Sequence, residues 1–284
     1  MRNLQVPSRY KLAQVPRRLV TYAILVGWGV MSLLPLYWMI VTAFSSSKGL
    51  FVVPPRWFPK PIVPTNFQRL WNFPHVWRWL VNSMLVTSVV TVSNVFFSVM
   101  AGYALAKKEF PGRSLIFWSV VSMLMIPSLV TLVPLYILII DLHMPNTYWA
   151  LILPASIEAF SIFLCKQFIQ TLPSELIDAA KIDGASEFQV FYRVVLPLSA
   201  PAVGVTGIFT FMWVWNDFFW PLVATSSIDM RTLQVGLTIL QPELITDYGL
   251  MMAGATFAAV PMFIIFFAFQ RYFIKGITVG ALKG

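Results

Sequence analysis

Charge and cysteine are both scarce in this sequence. Only 11% of its 284 residues are Asp, Glu, Lys or Arg, against about 25% in an average soluble domain, which excludes an ordinary water-soluble globule. The single cysteine, Cys165, excludes an internal disulfide and leaves the redox compartment open. There are two histidines, His75 and His143, and no H-E-x-x-H pattern, so a zinc-hydrolase site of that kind is excluded. Equally absent are a G-x-x-x-x-G-K-[ST] loop, which would wrap phosphates in backbone N–H groups, and a G-x-S-x-G nucleophile elbow. Neither ATP hydrolysis nor acyl transfer is expected of this chain, and it needs no cofactor or metal of its own.

What the chain has instead is apolar residue, 58% of the total. They lie in six long runs, near 19–44, 80–106, 115–140, 146–168, 202–225 and 250–273. Each exceeds the 18 or so residues that cross about 30 Å of hydrocarbon as a helix. Lipid supplies no hydrogen bonds to the backbone, so runs of this length without period-two alternation predict helices. The expected fold class is an all-α membrane protein with six transmembrane helices. The first run is read as a span, because it is longer than the roughly 7–15 apolar residues of a secretory signal and no small-residue cleavage site follows it.

Six spans put both termini on one side, and the basic residues choose the side. With the termini in the cytoplasm, the inner segments hold Arg2, Arg9, Lys11, Arg17, Arg18, Lys107, Lys108, Arg113, Lys166, Lys181, Arg193, Arg271, Lys275 and Lys283. The outer loops hold Lys48, Arg56, Lys60, Arg69, Arg78 and Arg231. This asymmetry accounts for the formal charge of +9, and no nucleic-acid partner is expected. Residues 1–18 are then a cytoplasmic N-terminal segment and 19–284 a transmembrane domain.

The connections differ in character. The first outer loop, about 45–78, carries "VVPPRWFPKPIVPTNF", whose five prolines favour extended chain, with Trp57, Trp71 and Trp77 placed to rest on headgroups or on a docking partner. The connection "KKEFPGR" is a short basic turn. The one at 171–199 holds "ELIDAAKIDGA", a charged helix between two oily segments. Pro173 and Ser174 signal its start, Glu175 complements the positive helix end, and Gly184 suits its stop. A second helix is expected from Ser186 to Leu196, ending before Pro197. Leu176, Ile177 and Ala180 share one side of the first helix; Glu175, Asp178 and Lys181 populate another. Such a short helix is marginal alone, and its polar face is acidic, whereas helices lying on lipid favour Lys and Arg. It is expected to dock on a protein.

Polar groups inside spans are functional candidates by default. Glu158 lies in the fourth run; Asn216 and Asp217 lie in the fifth, flanked by Trp213, Trp215 and Trp220. Carboxylates and amides beside aromatic faces suit a polyol, which needs both hydrogen bonds and stacking. Equally, Asn82, Asn94, Asn216 and Asp217 could bond between helices or cap a helix broken near Pro221, and Glu158 could sit in a salt bridge.

The connection at 171–199 resembles the hallmark loop of permease subunits of bacterial ABC importers: Glu-Ala-Ala, three residues, Gly, then an apolar helix ending in Leu-Pro. Here it stands as Asp178-Ala179-Ala180, Gly184 and Leu196-Pro197, with Asp in place of the commonest Glu. "WLVNSMLVTS", "AGYALAKKEFPGR", "WNDFFWPL" and "FQRYFIKGITVGALKG" are similar to the carbohydrate branch that contains the maltose permease pair, the last of them to the second maltose permease. The resemblance implies a type I importer (MetI-like) permease fold with a cytoplasmic coupling helix, in the bacterial inner membrane. It implies transport of a sugar, a di- or oligosaccharide, delivered by an extracytoplasmic solute-binding protein. It also implies a second permease subunit, usually a different chain, and two copies of a cytoplasmic ATPase that binds ATP and Mg. In that scheme Leu176, Ile177, Ala179 and Ala180 insert into the ATPase, Asp178 meets a basic residue, Gly184 sets the turn, and Glu175, Asp183 and Pro197 frame the loop. The tail with Lys275, Gly276, Lys283 and Gly284 approaches the ATPase. Glu158, Trp213, Asn216, Asp217 and Trp220 are the candidate substrate path.

Two rivals are weighed. An ion-coupled secondary transporter using Glu158 and Asp217 leaves the charged loop without a role. A membrane-embedded transferase wants acidic or histidine clusters at a membrane surface, which the sequence lacks.

Overall fold

A computed structural model describes residues 8–46, 57–240 and 247–281, with side-chain environments for 19–46, 57–240 and 247–270. Every regular element among them is helical. The chain divides into two compact units.

The first unit lies within residues 1–72 and 241–257. Its helix α1 (Ser8–Ala43) is apolar from Leu19 onward and almost wholly exposed there, as a surface made for lipid would be. A short α2 (Thr65–Trp71) forms inside the first long loop, directly after Pro64. Its buried Asn66 donates from Nδ2 to the carbonyls of Ala43 and Ser45, both at 2.9 Å, and so satisfies acceptors that the end of α1 leaves open. Arg69 pairs with Asp247 at 2.6 Å. Trp57, Trp71 and Trp77 are all exposed; Lys48 and Arg56 lie outside the described residues.

The second unit, within 73–240 and 258–284, is built on α3 (Val76–Lys107), 32 residues without a proline. Around it come α4 (Arg113–Met123), α5 (Ser128–Asp141), α6 (Tyr148–Ile152), α7 (Ala159–Gln170), α8 (Ser174–Ile182), α9 (Glu187–Val190), α10 (Leu196–Leu198), α11 (Ala200–Asn216), α12 (Phe219–Ala224) and α13 (Leu233–Leu237). The last helix, α14 (Tyr248–Ala281), belongs to this unit from residue 258.

Prolines divide the apolar runs. Three helices among the described residues are long and apolar enough to cross a membrane by themselves, within α1, α3 and α14. The third run is two helices, α4 and α5, bent by 104° where Pro127 takes an extended conformation and disfavours helix in the residue before it. In the fourth run, α6 stops at Ile152 before Leu153-Pro154, and α7 begins only at Ala159. The fifth run is α11 and α12, separated at Asp217, which is extended. Pro221 stands four residues on, and a continuous helix would drive its ring into the Asp217 carbonyl. The runs read from sequence as single spans are therefore continuous only in the first, second and sixth.

Packing without a hydrophobic driving force depends on close van der Waals contact, and Gly102 supplies it. A Cβ there would lie 2.8 Å from the backbone nitrogen of Lys166 and 2.9 Å from Cβ of Cys165, so α3 and α7 meet backbone to side chain with nothing between. Towards the other end of α3, the wholly buried Trp79 fills the space above Gly236, where a Cβ would fall 2.1 Å from the indole. Trp79 donates to the Ile228 carbonyl at 2.7 Å. Asn82 Nδ2 donates to the carbonyls of Asp229 (2.7 Å) and Arg231 (2.9 Å), while its Oδ1 accepts from the Tyr148 hydroxyl at 2.7 Å.

Gly102→Ala tests this contact. Alanine improves helix propensity by about 1 kcal/mol, yet the clashing atom is backbone, and overpacking of that kind destabilises by about 1–3 kcal/mol. The detergent-solubilised protein should unfold at a lower temperature. Gly207→Ala on α11, where the nearest atom is 3.7 Å from the new Cβ, should leave the midpoint unchanged or raise it.

Candidate functional site

The helix in "ELIDAAKIDGA" forms as α8 and ends as a Schellman motif. The Ala185 amide donates to the Ala180 carbonyl and the Gly184 amide to the Lys181 carbonyl, both at 3.0 Å, the paired bonds that close a helix on a left-handed residue. Gly184 is that residue, with φ +82°. Glu175 stands in the first turn and Lys181 in the last, each favourable to the helix dipole.

The helix is not without a partner in its own chain, as its sequence suggests. Ile177 is buried in a cluster with Val99 and Tyr103 of α3, Cys165 and Ile169 of α7, Val190 at the end of α9, and Phe191 and Val195 beyond it. Ala180 packs on the edge of the same cluster. These two residues, expected to insert into a partner, face inward, because the α3 and α7 ends leave an apolar socket that a helix lying across them fills. The outward face keeps Glu175, Leu176, Asp178, Ala179, Ile182 and Asp183 exposed. Leu176 is 46% and Ile182 86% exposed, an apolar pair that water does not stabilise. Asp178 makes no ion pair among the described residues.

Polar tethers hold α8 at both ends. Lys107 Nζ donates to the Leu172 carbonyl at 2.5 Å and to Ser174 Oγ at 3.1 Å, at the start of α8. Glu187 accepts on Oε2 from Lys108 Nζ and from the Tyr103 hydroxyl at 3.4 Å. On Oε1 it meets Lys181 Nζ at 3.2 Å, at the end of α8. Lys108 Nζ also lies 5.0 Å from the centre of the Tyr103 ring. The hydrogen bond from Lys108, followed by that from Lys181, holds the Glu187 carboxyl below its ordinary 4.5. Tyr103, Lys107 and Lys108 enter the sequence reading only inside the family-like stretch "AGYALAKKEFPGR" and, for the lysines, as a basic turn on the inner side; Glu187 is not singled out. Ser186-x-x-Gln189 is the legible signal, and it forms a complete capping box that aims Glu187 from the first turn of α9.

Beyond α9 the chain widens into a π-helical turn, Phe191–Val195, and continues through Pro197 to Leu198. The expectation that this helix ends before Pro197 is thus corrected. The wider turn accommodates a residue with no N–H and a bulky ring. The break falls instead at Ser199, with a 77° bend into α11, because Pro201 follows there. Pro197 itself is exposed. In α14, Lys275 and Gly276 are helical; Lys283 and Gly284 lie outside the described residues.

The polar residues of the apolar runs serve mostly local ends. Asp217 Oδ1 accepts from the Trp220 amide at 3.4 Å and so caps α12. Trp220 donates its indole N–H to the Ala150 carbonyl at 2.9 Å. These two line a cavity of only about 10 Å³ with Thr87 and Thr232, room for one water and far too small for a sugar. Glu158 precedes α7 and accepts from Ser161 Oγ at 3.2 Å, with no ion pair among the described residues. Asn216, exposed, donates to the Met212 carbonyl at 2.7 Å, and Trp213 is exposed on the same helix. No described contact joins Glu158 to Trp213 or Asn216. A larger cavity, about 740 Å³, runs between α3, α11 and α14. Of the side chains lining it only Ser88, Thr91 and Tyr192 carry polar atoms, so it fits apolar chain rather than polyol.

Two outcomes check the loop's construction. A Cβ at Gly184 meets nothing within 4 Å, so Gly184→Ala adds only the left-handed backbone term, about 1–2 kcal/mol. Amides 184 and 185 should exchange faster with solvent, and Gly184→Asn should fall between alanine and wild type. For Glu187, the folded carboxyl is more acidic than the unfolded one, so its contribution is fully present above 4.5 and lost as pH falls through the lowered value. The gap in unfolding midpoint between wild type and Glu187→Gln should stay constant above that pH and close only in stronger acid.

Residues 94–279 match the family model described as binding-protein-dependent transport system inner membrane component. The arabinooligosaccharides transport system permease protein AraQ of Halalkalibacterium halodurans is 43% identical over 208 residues, 73% of this chain and 75% of the relative. The sn-glycerol-3-phosphate transport system permease protein UgpE of Salmonella typhi is 32% identical over 254 residues, 87% of this chain and 90% of the relative. The diacetylchitobiose uptake system permease protein DasC of Streptomyces coelicolor is 32% identical over 257 residues, 88% of this chain and 91% of the relative. The fold is shared with a chain in a crystal structure of a bacterial ABC transporter involved in the import of the acidic polysaccharide alginate, at TM-score 0.82 and 20% identity, over 96% of this chain and 100% of that one. A family match across most of the chain, with relatives of this identity and coverage, makes this protein a member of the binding-protein-dependent transport system inner membrane components: a multi-pass permease subunit of a carbohydrate ABC importer, and not itself an enzyme.

Proposed function

We propose that this permease carries a short oligosaccharide across the bacterial inner membrane by alternating access, with both termini in the cytoplasm. The outward face of α8 is where a cytoplasmic ATPase docks. One observation carries the docking: α8 is anchored on its own chain through Ile177 yet leaves Leu176, Asp178, Ala179 and Ile182 exposed together. A basic residue of the ATPase then meets Asp178, and Leu176 fills an apolar groove beside it. ATP and Mg are held by two copies of that ATPase. A second permease, a different chain, pairs with this one in the membrane, and a solute-binding protein delivers the sugar from outside. The 740 Å³ apolar cavity between α3, α11 and α14 suits a helix of that second permease.

The transported solute follows from the relatives, whose names give arabinooligosaccharides and diacetylchitobiose alongside sn-glycerol-3-phosphate. A di- or oligosaccharide is the reading that two of these three share. Within this chain the exposed Trp213 and Asn216, with Glu158, remain the proposed lining of its path. Trp220 and Asp217 contribute less, since the indole N–H and the carboxylate already hold backbone groups.

Asp178→Lys tests the docking. The variant should insert in the membrane at wild-type level but lose the ATPase on purification and lose uptake, and Gly184→Trp should behave in the same way. Normal uptake by either variant at matched expression rejects the proposal. The solute is identified by measuring binding of a saccharide panel to the solute-binding protein that co-purifies.

A further inference from the structure

The tethers of α8 do more than hold a loop. A helix fixed only by the Ile177 peg could pivot about that point, and a push from outside would swing it instead of passing inward. Two attachments, one at each end, remove that freedom. Both come from the consecutive residues at which α3 ends. Lys107 is its last helical residue, whereas Lys108 is extended, with φ −106° and ψ 146°. Their side chains therefore diverge. Lys107 takes the start of α8 through Leu172 and Ser174. Lys108 takes its end through Glu187, which in turn grips Lys181.

An isolated surface ion pair is worth little. Here one carboxylate bridges cations from two different helices and accepts from the hydroxyl of Tyr103, whose ring is part of the buried cluster around Ile177. Glu187 is itself aimed by the Ser186–Gln189 capping box, with bonds of 3.3 and 2.8 Å. The carboxylate is thus held from below by its own helix and from two sides by the elements it joins.

We propose that Glu187 is a positioning residue for transport: with Lys107 and Lys108 it locks both ends of α8 to the end of α3, so that the two helices move as one piece. The inference rests on the docking of an ATPase at α8. Displacement of α8 then enters α3 directly, and α3 is the helix whose close approach at Gly102 carries α7 with it.

The test uses the whole importer, purified through a tag on this chain, with spin labels at Asp183→Cys, the residue that closes α8, and Glu109→Cys just after α3. Both positions are exposed, and the native Cys165 is wholly buried. Distances are measured without nucleotide and after trapping with ATP and vanadate. With Glu187 intact, one narrow distance should persist in both states. In Glu187→Lys it should broaden and shift on trapping, and the reversed pair Lys108→Glu with Glu187→Lys should narrow it again. An unchanged narrow distance in Glu187→Lys overturns the inference, as does broadening that the reversed pair leaves uncorrected. Loss of the ATPase from Glu187→Lys overturns it too, because the residue then acts in docking. Retention of the ATPase by Asp178→Lys overturns the docking itself, a separate result.

Discussion

At Gly102 the backbone of α7 comes closer to α3 than any side chain would allow, and most of the second unit is arranged around that contact. With no Cβ in the way, the two helices share one apolar cluster, Val99 and Tyr103 from α3 with Cys165 and Ile169 from α7. In lipid, attraction between helices comes from contact and not from water exclusion, so a gap of even one methyl group between these elements would weaken it. The same helix presents Trp79 and Asn82 at its start and two lysines at its end. The α3 helix is therefore the element on which segments from 148 to 237 converge.

The interior polar groups obey the demand that backbone be satisfied where water is absent. Proline interrupts four of the later segments, and each interruption exposes carbonyls or amides that a nearby side chain must meet. Asp217 meets the amide of Trp220; Trp220 meets Ala150; Asn82 meets Asp229 and Arg231. Asp217 and Trp220, which look like part of a sugar site in the sequence, thus hold backbone groups where helices break. The two roles are not distinguishable by composition, since both ask for amides, carboxylates and indoles.

The α8 helix lies across the ends of α3 and α7. Its inward side is a peg into the cluster and its ends are clamped, while its outward side keeps acid and exposed aliphatic residues side by side. Glycine at 184 closes the helix because the left-handed turn directs the chain into the second half of the loop.

Much of this protein was legible in order of residues alone. Long apolar runs determine helices, because the backbone has no other partner in hydrocarbon, and α1, α3 to α7, α11, α12 and α14 overlap the six runs read from sequence, whereas α2, α8, α9, α10 and α13 lie outside them. The start and stop of α8 follow from Ser174, Glu175 and Gly184, whose preferences are local. The family followed from five short motifs in order. Tertiary structure alone decided which faces are inward. Ile177 and Ala180 look like docking residues until the socket formed by α3 and α7 is seen, and Glu187 looks like an ordinary surface acid until Lys108, 79 residues earlier, is brought beside it. Helix periodicity and capping are set by neighbours within a few residues, whereas sockets and clamps form only when distant segments pack, and a linear pattern carries no record of that distance.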